Sequence, residues 1–256
     1  PAFGVAGAAF GTAAGTLFSL LYSYYLLERE GFFHGGRWMP DRAYFKKVGP
    51  LFASVLSEQG SERIGMVLFS RMAAGLGTVP FAVHSICMNI CDIYYDFIMG
   101  FGKAGMVSAG QAVGRGSMAD WQHYRRTGLF WCLILSTAAC GITLAFAHPI
   151  FVFYSPDPSL LPLASVIMVF IAFVSYPEAL ALWGAGILRG SGAAPQVAAY
   201  SFVSITFLRP LVTAFFIYGL DMGLVGTWCA LFLDQVIRAS CASFLVNRLA
   251  VKRGFL

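Results

Sequence analysis

Long apolar stretches separated by short polar segments dominate this sequence. Seven stretches are mostly apolar: residues 3–27, 50–75, 81–106, 127–153, 160–187, 196–218 and 223–247. A hydrocarbon core about 30 Å thick needs about 20 such residues per helix, and polar backbone groups inside it must be paired within the segment. The pattern therefore predicts an all-α fold: a polytopic membrane helical bundle with about seven transmembrane helices.

The composition supports this interpretation. Of the 256 residues, 58% are hydrophobic and 11% are charged, whereas about a quarter of the residues in a soluble domain are charged. This excludes a water-soluble enzyme, a disordered tail and an ordinary nucleic-acid binder. The six cysteines show no metal-ligand spacing, so we expect them to be reduced packing residues rather than metal ligands.

The distribution of positive charge predicts the orientation in the membrane. The net charge is +5, and most Lys and Arg residues lie in the connections after the first, third and fifth spans and at the C-terminal end. Such a bias marks the cytoplasmic side. We therefore expect a multi-pass protein of the cell (plasma) membrane with a cytoplasmic C-terminus, and the basic excess requires no nucleic acid.

Charged residues inside the apolar stretches are the most informative feature. The acids are Glu58, Glu62, Asp92, Asp96, Glu178 and Asp234, and the bases are Arg63, Arg71, Lys103, Arg209 and Arg238. An ionised side chain at mid-bilayer costs about 3 kcal/mol or more. These residues therefore need either ion-pair partners or a water-filled cavity.

Glu58 and Glu62 are four residues apart and share one helix face. Two carboxylates at such a short separation cannot both stay ionised in a low-dielectric site. At least one should therefore exchange a proton near neutral pH, as a proton- or cation-coupled site requires. The alternative is that Glu62 simply pairs with Arg63 or Arg71.

Glu178 follows Pro177, which removes a helical hydrogen bond, and acids beside such loosened turns often form ion sites in transporters. Glu178 is therefore a second candidate for the coupling site.

The other intramembrane polar residues leave more alternatives open. Asp92 and Asp96 form either an ion-pair ladder with Lys103 or a substrate-facing surface. Gln59 and Tyr176 could line the same cavity.

Two further patterns have structural interpretations. Asp234 and Arg238, with the acid first at i, i+4, suggest a self-satisfied pair, and we expect Arg209 to pair between helices. The segment from Gly100 to Gly105 spells GxGxxG, but it follows an apolar helix and not a strand, so a nucleotide site is rejected.

Four short strings carry a resemblance to a known family. Leu76-Gly77-Thr78 leads to His84, and the segments 110–114 (GQAVG), 184–190 (GAGILRG) and 223–228 (GLVGTW) follow in order. Together with the topology they resemble the MATE family, the multidrug and toxic compound extrusion transporters. The resemblance implies twelve helices in two lobes. Residues 1–49 would then hold the sixth helix and a basic cytoplasmic loop, and residues 50–256 the six-helix C-terminal lobe.

The resemblance also implies a function. Family members export organic cations or drug-like compounds by alternating access, in exchange for protons or sodium ions and without a bound cofactor. Glu62 falls where many members place the coupling glutamate of the seventh helix, Glu58 where another branch places its acid, and Glu178 where members carry a tenth-helix acid. Sodium-binding members often add a tyrosine four residues earlier, where this chain has Val174. The missing N-terminal lobe of the same protein would be the partner, within membrane lipid.

Two alternatives remain at this stage. A flippase of the same superfamily, which moves a lipid-linked sugar, would show a wider basic cavity, and Arg63, Arg71 and Lys103 keep it open. A heptahelical receptor would also have seven spans, but we find no signalling motif at the cytoplasmic helix ends.

Overall fold

The computed structural model describes residues 4–31, 42–155 and 157–252, apart from the side chain of Lys252 and some side chains in the first halves of the first two helices. The helices within these ranges are α1 (Gly4–Arg29), α2 (Arg42–Ala74), α3 (Thr78–Arg115), α4 (Met118–Ala145), α5 (Ala147–Tyr154), α6 (Leu161–Gly190), α7 (Ala194–Phe202), α8 (Arg209–Ala214) and α9 (Gly223–Lys252). A 3-10 turn, Pro158–Leu160, leads into α6, and π-helical segments, Val203–Leu208 and Phe215–Gly219, flank α8.

The seven predicted spans correspond to long helices. The segments from α7 to the second π-helical turn form one continuous rod, Ala194–Gly219, and α5 is short. Within the described residues, α4, the 3-10 turn with α6, the rod and α9 are long and apolar enough to cross a membrane. Large apolar side chains face outward, among them Phe153, 87% exposed, and Phe244, 65% exposed, as expected for a surface in lipid rather than in water. The prediction of an all-α membrane helical bundle is confirmed.

Several helix boundaries differ from the predicted ones. The stretch 127–153 is divided, because α4 ends at Ala145 and Phe146 leaves helical geometry. Pro149 has no N–H to donate to the carbonyl of Ala145, so an unbroken helix would lose that hydrogen bond. By contrast, α6 continues through Pro177 without interruption.

The chain divides into two compact units, Pro1–Leu51 and Phe52–Leu256. In the second unit α6 is central and packs against α3, α4 and α9. Two apolar clusters surround it, one containing Trp121, Ile98 and Leu188 and the other containing Phe69 and Trp228.

The backbones of α3 and α6 touch through glycines. A Cβ atom on Gly186 would lie 2.9 Å from the carbonyl carbon of Gly102, and one on Gly190 would lie 2.9 Å from that of Met106. Small residues allow such close approach between membrane helices. Two glycines of the nucleotide-like motif, Gly102 and Gly105, thus serve helix packing, and a Cβ on Gly105 would meet the ring of Trp183 at 2.6 Å. Gly100 has nothing within 4 Å of such a Cβ.

This packing predicts that Gly186→Ala destabilises the protein. The added methyl group would press on the α3 backbone, which cannot move aside as a side chain can, and overpacking of this kind costs about 1–3 kcal/mol. We expect a lower Tm for purified protein in detergent. The matched control is Gly141→Ala on α4, where a Cβ meets nothing within 4 Å, so its Tm should be unchanged or slightly higher. Equal Tm values for the two variants would contradict the close α3–α6 contact.

Candidate functional site

A cavity of about 400 Å³ lies inside the second unit, at mid-length of its helices. Residues of α2, α3, α6, α8 and α9 line it: Gln59, Glu62, Arg63, Met66, Met88, Cys91, Asp92, Tyr95, Asp96, Met99, Glu178, Arg209, Leu231, Gln235 and Arg238. Along α3, α6 and α9 the charged lining residues Asp92, Asp96, Glu178 and Arg238 come after the buried members of one apolar cluster and before those of the other. Apolar packing therefore lies both before and after the charged segment of each of these three helices.

Glu62 and Glu178 both line this cavity. Glu62 is half-buried, and its carboxylate accepts a hydrogen bond of 3.3 Å from Nε2 of Gln59, one turn earlier on α2. The carbonyl of the neighbouring Ser61 accepts one of 3.3 Å from Thr206 Oγ1, which ties this turn of α2 to the rod. The two arginines proposed as partners, Arg63 and Arg71, are exposed. No ion pair involving Glu62 occurs within the part of the chain that the structure describes.

Glu178 is 3% exposed and lies on the buried face of α6. Its Oε1 accepts a hydrogen bond of 3.2 Å from Nε2 of Gln235 on α9. Its Oε2 is buried and has no hydrogen-bond partner among the described residues, and the same is true of Gln235 Oε1. Two buried acceptor atoms are therefore available for a donor or a cation, and leaving them unmatched costs about 1–3 kcal/mol each.

The carboxylate of Asp234 is bound by the rod and not by its own helix. Nε and Nη2 of Arg209 donate to Oδ2, the first over 3.1 Å, and the hydroxyl of Ser204 donates to Oδ1. The predicted Asp234–Arg238 pair is therefore wrong, while the interhelical pairing of Arg209 is confirmed. Arg209 also lies 5.8 Å from the ring centre of Phe69.

A widened helical turn places Arg209 at this position. Pro210 has no N–H to offer the carbonyl of Thr206, so an α-helical bond is absent there. The backbone N–H of Arg209 donates instead to Ser204, five residues earlier, in the first π-helical segment. Such turns are rare in proteins as a whole, but many of those known lie at functional sites. Here the wide turn brings Ser204 and Arg209 to the same carboxylate.

The other predicted site residues divide into three groups. Asp92, Asp96 and Gln59 line the cavity. Tyr176 does not, because its hydroxyl donates to Thr137 Oγ1 on α4 over 3.3 Å. The side chain of Glu58 lies outside the described residues.

The sequence reasoning did not assign several lining residues to the site, among them Tyr95, Arg209, Gln235 and Arg238. Gln235 and Arg238 lie four and seven residues after Leu231, a spacing that marks one face of a helix and that could have revealed them. Tyr95 had no such local signal, and the sequence indicated Arg209 only as an interhelical ion-pair partner.

The MatE family model matches residues 50–215. A protein described as "Probable multidrug resistance protein NorM" from Xanthomonas axonopodis pv. citri is 30% identical over 181 residues, which cover 66% of this chain and 38% of the relative. One of the same description from Xanthomonas campestris pv. campestris is 28% identical, with 67% and 38% covered. The chain thus spans less than two fifths of the length of these relatives.

Solved structures show the same fold at low sequence identity. A MATE protein in the straight conformation matches with a TM-score of 0.83 and 16% identity, over 99% of this chain and 58% of that one. An outward-facing MATE family transporter matches with a TM-score of 0.82 and 16% identity, over 98% and 57%. An inward-facing one matches with 0.75 and 15%, over 98% and 59%. Since the family model covers well over half of the residues, the chain belongs to the MatE family of membrane transporters.

Proposed function

We propose that this chain is the C-terminal part of a cation-coupled multidrug efflux antiporter, in which the cavity binds an organic cation and a coupling ion in turn. The observation that carries the proposal is the presence of Glu62 and Glu178 in one cavity, neither with an ion-pair partner in the described ranges. Carboxylates in that condition attract a cation or a proton.

The charge of the cavity favours cationic over anionic substrates. Arg209 is neutralised by Asp234. Four carboxylates of the lining (Glu62, Asp92, Asp96 and Glu178) then face the two remaining arginines, Arg63 and Arg238. This balance supports the export of organic cations over the transfer of a lipid-linked pyrophosphate by a flippase. Membership in a transporter family argues against the heptahelical receptor.

Exchange follows from competition for the same oxygens. When Glu62 and Glu178 are ionised they attract an organic cation, and when they hold a proton or a sodium ion that attraction is lost. Binding of one ligand thus weakens binding of the other. The volume of about 400 Å³ lies within the range of drug-sized sites, roughly 300–1,000 Å³.

The second wall of the pathway would be an N-terminal lobe of the same protein, because the chain covers 57–59% of each of the three matched transporters. Rocking of two such lobes would expose the cavity alternately to each side. The loops rich in Lys and Arg support a plasma-membrane protein with its C-terminus in the cytoplasm.

Replacing Glu62 tests the role of the carboxylate. In the full-length transporter that contains this chain, Glu62→Gln should lower export of an organic cation such as ethidium by about tenfold or more, because a hydrogen bond to a charged group is worth about 1.5–3 kcal/mol. The matched control is Glu30→Gln, at an exposed position beyond α1, which should export normally. Undiminished export by Glu62→Gln at normal expression would remove Glu62 from the mechanism.

The coupling ion can be identified by binding measurements on purified protein. If protons are coupled, the Kd for the organic cation should rise as the pH falls, because protonated carboxylates are neutral, and Glu178→Gln should flatten this dependence. If sodium is coupled, adding sodium at constant pH should raise the Kd, whereas adding choline at equal ionic strength should not. A Kd that responds to neither ion would contradict the antiport mechanism.

A further inference from the structure

We infer that Arg238 binds the anionic group of a zwitterionic substrate whose cationic end is held by Glu178 and Gln235. The inference rests on the proposed export function and assigns Arg238 a specificity-determining role in it: selection, among amphipathic cations, of those that also carry a carboxylate.

Arg238 is a buried cation that forms no direct ion pair within the described part of the chain. The residue is 9% exposed and lines the cavity. Its Nε–H is buried and has no hydrogen-bond partner among the described residues, and none of their carboxylates lies within 4 Å of it as an ion pair. The acid one turn earlier, Asp234, is occupied by Arg209 and Ser204.

A buried guanidinium with an unmatched N–H is costly. An unsatisfied buried donor costs about 1–3 kcal/mol, and more when the group is charged. A substrate carboxylate would match it well, since the planar fork of arginine accommodates two carboxylate oxygens.

The acceptor end of the site lies one turn away. Gln235 is three residues before Arg238, so their Cβ atoms are about 5–6 Å apart. The unpartnered Oε1 of Gln235 and Oε2 of Glu178 offer acceptors for the N–H groups of a cation. The cavity therefore presents a donor and an acceptor pole on neighbouring turns of α9, which matches the charge separation of a zwitterion.

A pair of dyes that differ only at the carboxylate tests this inference. Rhodamine 19 carries a free carboxylate beside its cationic ring system, and its ethyl ester, rhodamine 6G, is a pure cation. We would measure the Kd of both by fluorescence anisotropy at pH 7.5, with the purified full-length transporter that contains this chain. Arg238→Gln should weaken binding of the free acid about tenfold or more, the cost of one lost charged contact, whereas the ester should bind as well as before or more tightly, because a positive charge has left the cavity.

Arg238→Lys provides a second variant in case Arg238→Gln does not fold. It keeps the charge but not the fork, so it should weaken binding of the free acid more than binding of the ester. Equal changes for the two dyes in both variants would overturn the inference and indicate that Arg238 serves as a counter-ion for the carboxylates of the cavity. A wild-type protein that binds the ester but not the free acid would overturn it as well.

Glu62→Gln separates this inference from the proposed function. If Glu62→Gln weakens binding of both dyes while Arg238→Gln affects neither, the antiporter proposal stands and the role of Arg238 fails. If Arg238→Gln weakens binding of the free acid alone while Glu62→Gln has no effect on either dye, the role of Arg238 stands and that of Glu62 fails.

Discussion

Arg209 and Asp234 form the contact on which the charged interior of this lobe depends. Both side chains are more than nine-tenths buried, and an unpaired ion at that depth would cost several kcal/mol. Their pairing fixes the rod against α9 and removes one positive and one negative charge from the cavity balance. It also leaves Arg238 without the acid nearest to it in sequence, so the pair decides which charges remain available for ligands.

Close helix packing surrounds this polar interior. The backbones of α3 and α6 meet at Gly102 and Gly186, and the hydrogen bond between Glu178 and Gln235 joins α6 to α9. Since glycine contacts allow little relative movement without loss of van der Waals contact, we regard α3, α6 and α9 as one wall that holds Glu178 in place. In the proposed mechanism, alternating access would arise between lobes rather than within this wall.

Sequence reasoning found much of the candidate site because charge is rare in apolar helices. Glu62, Glu178, Asp92 and Asp96 were each recognisable as acids in stretches of membrane length, and the structure brings all four to one cavity. Tyr176 was misjudged because its proximity to Glu178 in sequence says nothing about direction: it lies two residues before Glu178, about 200° around the helix, and it contacts α4.

The sequence by itself determined the class of protein, the number of long helices and the acids that need either an ion-pair partner or a water-filled cavity, because hydrophobic length and the cost of burying charge are local properties of a segment. Only the tertiary structure decided the partner of each charge. The local i, i+4 rule paired Asp234 with Arg238 at four residues' separation, whereas the wide turn at Pro210 and the packing of the rod on α9 delivered Arg209 from 25 residues away. The spacing of residues along one helix does not specify how that helix packs against another. Only the fold therefore determined that Arg209 is neutralised by Asp234 and that Arg238 is not.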